Sequence, residues 1–513
     1  MTTADATTPG AGASMTAFRR WMIMVAVTGS TTLYAMTILI VSVVLPQMQG
    51  SLSATPDQIS WVMTFNILAT AIVTPMSGWL AGRFGWRNVM LFSQAGFCIS
   101  TFFCGIAESL EALVFCRILQ GGFGAPTIPL AQAIILDIFP RRQHSLVTSI
   151  FGMGVVVGPI FGPIFGGYLT ELYNWRYAFY MLVPLALVGF VGLWVFLTDG
   201  GRRAKLRFDW TGFLLLAAAL ASLQLVLDRG QRLDWLDSSE IVIVIVVGCC
   251  ALYAFLVHSF MAEKPFLDLR LLKNANYSLG LLIVLVYGML NFTPMVVMPP
   301  MLKELGGYPE AVIGTLLGGR GAGAVVGFFL AGRLGRFDPK VGMTIGFGLQ
   351  ALSGIHMMTF DMNVGMSEVL TASFMQGMSV GLIWVPLVVA TFATLEKQYL
   401  AETTAVFHLL RNIGSSIFIS LSVTTVIRTG TSNYARMTEF ISPFNELLSF
   451  PQYLQFWDTE TTAGLARIAV EVKHQADMIG FLNAFGLYTL ACVVVLPLVW
   501  MVRMPKRGAG DDY

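Results

Sequence analysis

Fourteen apolar runs of roughly twenty residues follow one another along this 513-residue chain, and nothing else in it restricts folding so tightly. A hydrocarbon core about 30 Å thick needs about 20 helical residues to cross it. Only helices or closed barrels satisfy every backbone polar group there. Runs such as Ile241–Val257 and Leu279–Leu290 lack the polar/apolar alternation of a barrel strand. An all-α, multi-pass membrane protein is the expectation. Charged residues make up 12% of the chain, against about 25% in soluble domains, and no polar stretch is long enough to build a soluble domain. A net charge of +2 implies no polyanionic partner, which argues against nucleic-acid binding. The six cysteines (Cys98, Cys104, Cys116, Cys249, Cys250, Cys492) lie in apolar runs without CxxC spacing. They read as buried hydrophobes rather than disulfides or metal ligands.

The predicted spans are 21–46, 58–79, 87–106, 111–136, 145–169, 176–197, 210–228, 240–261, 277–302, 310–332, 340–359, 367–392, 402–427 and 479–502. Residues 1–20 are Thr/Ala/Gly-rich and read as a disordered tail. The first run is too long for a cleaved signal peptide. Basic residues cluster on alternate loops: Arg19/Arg20, Arg83/Arg87, Arg141/Arg142, Arg202/Arg203/Lys205/Arg207, Lys264/Arg270/Lys273, Arg333/Arg336/Lys340, Lys397 and Arg503/Lys506/Arg507. That puts 20 of 31 on one side, so both termini are expected in the cytoplasm. A polar loop from about Arg428 to Met478 stands on the other side. Its stretch Glu460–Gln475 has helical composition, and reads either as a helix lying at the membrane interface or as a docking surface for an extracytoplasmic partner.

The pentapeptide Ala81-Gly-Arg-Phe-Gly85 after span 2 returns as Ala331-Gly-Arg-Leu-Gly335 after span 10, and Gln120-Gly121 in span 4 returns as Gln376-Gly377 in span 12. Matches at nearly one offset indicate duplicated halves. Residues 21–200 form one predicted six-helix bundle and residues 266–503 the other, with two inserted helices in 201–265 and a cytoplasmic tail at 504–513. Two like bundles with a cavity between them are a transporter architecture. In span 5, Gly154, Gly158, Gly162 and Gly166 share one helical face, followed by Gly167, with Pro159 and Pro163 between them. That face is either a close-packing surface or a bend that seals the cavity in one conformation.

These residues resemble the major facilitator superfamily, and within it the fourteen-span, EmrB-like drug:proton antiporters. Gly78-Trp-Leu-Ala-Gly-Arg83-Phe-Gly85-Trp-Arg87 is similar to the superfamily's gating motif of loop 2–3. Leu113-Val-Phe-Cys-Arg117-Ile-Leu-Gln120-Gly121-Gly-Phe-Gly124-Ala-Pro126 resembles its span-4 motif, and Gly154–Gly167 resembles the antiporter motif of span 5. Leu227-Asp228-Arg229-Gly230…Asp234-Trp235 resembles a signature of the EmrB-like branch. The resemblance implies export of lipophilic drugs and toxic compounds across the bacterial inner membrane by alternating access. The proton gradient would drive it, with no cofactor. It also implies a periplasmic EmrA-like adaptor and an outer-membrane channel as partners. Two positions depart from the pattern: Gly82 replaces the usual Asp of loop 2–3, and Thr37 and Ser42 stand where the family carries an acid and an asparagine in span 1.

Ionisable groups within a bilayer cost at least about 2.5–3.5 kcal/mol on insertion and mark functional candidates. Arg117, Arg320 and Arg411 qualify, with His258, His356 and His408, whereas the nearest acids (Glu108, Glu111, Asp137, Asp228, Glu240, Glu310, Glu368, Glu402) sit at span ends. Arginine releases no proton at useful pH. Arg117, Gln120, Arg320, Gln376, His408 and Arg411 are therefore expected along the substrate pathway, though Arg117 also suits a structural role. An electropositive cavity would favour neutral or weakly acidic lipophiles over dications. Asp228 and His408 are the proton-coupling candidates. Against Asp228 stands a plain Asp228/Arg229 pair closing span 7, with Gly230 as the cap.

The sequence has no Gly-x-x-x-x-Gly-Lys-[Ser/Thr] loop and no His-Glu-x-x-His, so neither a P-loop ATPase nor a zinc enzyme is indicated. Within transport, the alternatives are export of an endogenous lipid, polyamine or siderophore, and a facilitator without proton coupling.

Overall fold

A computed structural model describes residues 15–198, 208–262, 265–334, 338–442 and 461–502, together with 445 and 457. The basic residues at 202, 203, 205, 207, 264, 336, 503, 506 and 507, residues 1–14, the tail at 504–513 and most of the 443–460 loop lie outside them.

Every predicted span falls on helix. Span 1 is Ala17–Ser51, capped by Thr16 accepting from Arg19 N. Span 2 is Pro56–Val73 followed by Met76–Phe84, bent by 55° at Thr74-Pro75, where proline removes a backbone donor. Span 3 is Trp86–Ile106, and span 4 is Leu110–Gly124 plus Thr127–Ile138, interrupted at Pro126. Span 5 is His144–Leu172, and span 6 is Arg176–Tyr180 plus Leu182–Phe196. Spans 7 and 8 are Trp210–Arg229 and Ser239–Met261. Spans 9 to 14 follow as Ala275–Glu304, Glu310–Leu334, Pro339–Met357, Met366–Phe392, Leu400–Thr438 and Thr462–Val494, the last continuing as Leu496–Met501.

Among the described residues twelve helices are long and apolar enough to cross a membrane, and the bent span 2 makes thirteen. The remaining one, Pro339–Met357, has 19 residues but is diluted by Lys340, Gln350 and His356. The spans bury two kinds of core. One large cluster joins spans 9 to 14 through Tyr287, Phe347, Phe407 and Tyr488, while two smaller ones fill spans 1 to 6 around Tyr34, Phe97, Ile134 and Phe179. Spans 7 and 8 rest on span 13 through Leu216, Leu220, Phe255 and Leu409. They otherwise present apolar side chains outward, as helices facing lipid do.

The span-5 glycines meet span 1 in a constant register. Gly154 faces Thr28, Gly158 faces Thr32, Gly162 faces Met36 and Gly166 faces Ile40. A Cβ on Gly162 would sit 2.8 Å from the Met36 carbonyl oxygen, and Thr32 Oγ1 donates to Gly154 O at 2.7 Å. Small residues let two backbones touch here. The Pro163 side chain lies outside the described positions.

The helix expected to lie flat at the interface does not do so. Thr461 caps a helix that runs from Thr462 straight into span 14, because no Gly-Pro or other breaker separates the polar stretch from the apolar one. It packs on the extended end of span 13: Gly480 meets Val426 O, and Gly430 meets Asp477. Span 13 has 39 residues, about 58 Å at about 1.5 Å per residue. That is roughly twice a hydrocarbon core of about 30 Å, so the hairpin stands off the membrane body as a stalk.

Candidate functional site

The two halves touch at the end of the molecule that carries Arg83, Arg141, Arg333 and Lys340. Gly78 lies against the backbone of Glu402, and its Cβ would fall 2.6 Å from the Glu402 Cα. Ser145 Oγ donates to Ala331 O at 3.3 Å, and Ser149 lies over Gly332. The contacts match between the halves, span 2 meeting span 13 at Gly78, just before the first pentapeptide, and span 10 meeting span 5 at Ala331 and Gly332, which open the second. Further in, Phe328 covers Gly152 and Ile160 meets Gly321. Beyond that level Phe161, Phe165 and Tyr168 of span 5 are exposed, and Gly314 and Gly318 of span 10 have nothing near them. The bundle is closed at its basic end and parted at the other.

Within the gating motif, Gly85 adopts φ +85°, a conformation few other residues take, at the corner between spans 2 and 3. Arg87 donates to Trp194 O at 2.9 Å and ties span 3 to the end of span 6. Arg83 is exposed.

Arg117 and Gln120 do not open on to the space between the halves. Arg117 is 1% exposed; it donates to Val62 O at 3.2 Å and to Gln120 Oε1. Gln120 Nε2 donates to Thr101 Oγ1 at 2.7 Å, and Asn66 Nδ2 donates to Arg117 O at 2.8 Å. The guanidinium is consumed by carbonyl and amide acceptors inside spans 2 to 4, which makes it a strut rather than a cavity cation. Gln376, 1% exposed, sits inside the other half against Met357 and Tyr488.

Arg320, Arg411 and His408 gather around a second set of side chains. Arg320 donates to both the backbone and the side-chain oxygen of Asn291, the latter at 2.7 Å. Arg411 lies 5.7 Å from the Trp384 ring and donates to Asn412 Oδ1 at 3.0 Å. Tyr287 packs on Trp384 at 5.3 Å and feels the charge of both arginines, while Arg411 is also felt by Tyr34 of the opposite half. Among the described residues, no carboxylate pairs with Arg320 or Arg411. His408 Nε2 bonds Gln132 Oε1 at 2.8 Å, a link that crosses between the halves. His408 Nδ1 and Gln132 Nε2 stay buried without partners. Such an array can hold an anionic or carbonyl-bearing ligand through arginine and stack its rings on Trp384.

Asp228 lies elsewhere. It accepts from Thr64 Oγ1 at 2.6 Å, while Ser420 Oγ donates to the neighbouring Leu227 O at 2.8 Å. The C-terminal end of span 7 therefore grips both halves. Arg229 pairs with Glu240 rather than Asp228, and Gly230 stays right-handed while Asp234 and Trp235 take the left-handed turn. Glu240 wins because it opens span 8 directly across the short loop. His258 pairs with Asp209 at 2.9 Å, and His356 packs edge-on against Phe360. Thr37, 2% exposed, donates back to Leu33 O at 2.8 Å; the Ser42 side chain lies outside the described positions.

Sequence reasoning missed Tyr34, Gln132, Tyr287, Asn291 and Trp384. Asn291 and Gln132 carry a signal in sequence, as amides deep in apolar spans like Gln120 and Gln376. The aromatic residues carry no signal among 37 phenylalanines, 14 tyrosines and 11 tryptophans.

The Major Facilitator Superfamily profile matches residues 27–419. The multidrug export protein EmrB of Escherichia coli K12 is 31% identical over 502 residues, 95% of this chain and 96% of that one. EmrB of Haemophilus influenzae is 30% identical over 94% of this chain and 96% of its own. The fatty acid resistance protein FarB of Neisseria gonorrhoeae is 28% identical over 92% and 94%. Among solved structures, the human organic anion transporter MFSD10 superposes with a TM-score of 0.62 at 12% identity, covering 92% of this chain and 99% of that one. The proton:xylose symporter XylE gives 0.59 at 12% identity over 95% and 96%. At such identity these two speak for the fold alone. The chain belongs to the major facilitator superfamily of membrane transporters and, within it, to the EmrB-like group.

Proposed function

We propose that this chain exports lipophilic compounds of varied structure across a bacterial inner membrane in exchange for protons, with both termini in the cytoplasm. The observation that carries this reading is the identity to the E. coli multidrug export protein EmrB over nearly the whole of both chains. The contacts between the halves support alternating access. With the basic end cytoplasmic, this conformation is closed inward, and the opposite one separates Gly78 from Glu402, Ser145 from Ala331 and Gln132 from His408. His408 is favoured over Asp228 as the coupling residue because its bond crosses the halves and breaks in the exchange. The arginines bind cargo and carry no proton.

Arg320 and Arg411 set the cargo's polarity. Two guanidiniums, Arg320 buried and Arg411 half-buried, without carboxylate partners among the described residues, raise the cost of a dication and lower that of a weak acid or a neutral carbonyl compound. The stalk of spans 13 and 14 is the surface offered to a periplasmic adaptor, which would pass cargo to an outer-membrane channel.

Everted membrane vesicles containing the chain test the reading. Uptake of a lipophilic weak acid on energisation, greater than that of a divalent cationic dye, is expected. Efficient uptake of dications with none of weak acids would refute the polarity argument. Uptake indifferent to the proton gradient would leave a facilitator.

A further inference from the structure

Spans 3 and 4 pack antiparallel, and two contacts fix their register. Gln120 Nε2 donates to Thr101 Oγ1 at 2.7 Å, and the Phe123 ring lies on Gly96. In an antiparallel pair, one turn toward Ile106 on span 3 matches one turn toward Leu110 on span 4. From Thr101 that step reaches Cys104; from Gln120 it reaches Cys116. The register therefore sets the two sulfurs opposite each other. Their contacts agree: Cys104 Sγ lies 4.0 Å from Gln120 Oε1, touches the Cys116 thiol, and packs with it in one apolar cluster. Cys104 is buried, Cys116 is partly exposed, and both are free thiols. The other four cysteines have no such place: Cys249 and Cys250 are chain neighbours, Cys492 is buried in the other half, and Cys98 is more than a turn away from Cys104.

We propose that Cys104 and Cys116 form an oxidisable pair that closes into an intramolecular disulfide, tying span 3 to span 4 beside the Arg117–Gln120 strut. The proposal rests on the orientation given under Proposed function, which puts the loop at 107–109 in the oxidising compartment, where disulfides persist. Cys104 lies two residues from the end of span 3, within a turn of that loop. The oxidant is an external disulfide or diazene. The Cys116 thiolate attacks a sulfur of the external disulfide and expels one thiolate. Cys104, losing its proton, then attacks the Cys116 sulfur of the mixed disulfide and expels the second. Two electrons and two protons pass to the oxidant, and the external disulfide leaves as two thiols; with a diazene, the Cys116 thiolate instead adds to the N=N bond, and attack of Cys104 on that sulfur breaks the S–N bond and releases the hydrazine. Both cysteines lie within the N-terminal half, so the bond does not block movement of one half against the other.

The full-length protein is treated in membranes with the diazene oxidant diamide, and remaining thiols are blocked with light maleimide. After reduction, newly freed thiols take heavy maleimide, and peptides are read by mass spectrometry. Heavy label on Cys104 and Cys116 together is expected, with a higher melting temperature that reductant reverses. In Cys116→Ser, Cys104 should carry light label only. Light label on both cysteines after oxidation would overturn the pairing, as would heavy label on Cys104 that survives Cys116→Ser. A separate arm reads the orientation: Glu108→Cys should react with a membrane-impermeant maleimide on intact cells. Failure there overturns the compartment and leaves the diamide result to judge the pair.

Discussion

Replacing Gly78 by alanine should shift the chain away from the conformation described here. The added Cβ would stand 2.6 Å from Glu402 Cα and 3.0 Å from its Cβ and backbone nitrogen. Ordinary carbon contacts lie at about 3.5–4.0 Å, so the ends of spans 2 and 13 must part by about 1 Å. Backbone cannot rotate aside as a side chain can, and overpacking of this kind costs about 1–3 kcal/mol. Alanine also relieves the helix cost of glycine, about 1 kcal/mol, but that gain is the same in both conformations and does not bias them. Only the clash does. A bias of about 1–3 kcal/mol changes the ratio of states by about 5- to 150-fold. Spin labels at Glu171→Cys and Glu304→Cys, on the parted ends of the two halves in a cysteine-depleted background, report the change as a distance distribution. Gly78→Ala should move weight to the shorter distance. Gly122→Ala, whose Cβ meets only Val73 at an ordinary 3.8 Å, should not. Identical distributions for the two variants would refute the argument that Gly78 seals the basic end.

Three further outcomes separate struts from site residues. Arg117→Ala strands the buried Gln120 amide and the Val62 carbonyl, so it should lower stability by about 2–4 kcal/mol and thus the melting temperature of the purified protein. Arg411→Ala, in a half-buried position, should leave melting nearly unchanged and weaken binding of a lipophilic weak acid about tenfold or more, read by fluorescence titration. Asp209→Asn weakens the acceptor for His258 Nε2, Phe266 N and Gly212 N, which should cost about 1 kcal/mol in thermal unfolding without altering transport per folded molecule.

The spans were legible because burying backbone polar groups in lipid leaves a long apolar run with no other structure to form. The basic loops and the two pentapeptides were legible for a similar reason, since each is a local pattern. Contacts between distant spans were not. Arg117 and Arg411 look alike in sequence, one arginine each in an apolar run, yet Arg117 is enclosed by Val62, Asn66 and Gln120 while Arg411 faces Trp384 and Tyr34. Which it is depends on helix rotation, set by the summed packing of neighbours. The Glu460–Gln475 stretch was misplaced because its polar composition suggested an interface helix, whereas the absence of any breaker before span 14 was the stronger signal. The Asp228/Arg229 pairing failed on the same ground: neighbours in sequence point apart on a helix, and Arg229 finds Glu240 across the loop instead.

Flux through purified protein in liposomes bears most directly on the claim that the halves exchange cargo for protons across the His408–Gln132 contact. With a proton gradient imposed, a lipophilic weak acid should move against the gradient while a trapped pH dye reports proton movement the other way, and His408→Gln should abolish the dye response while leaving counterflow of cargo. Equal flux with the gradient present and collapsed, or an unchanged dye response in the variant, would contradict it.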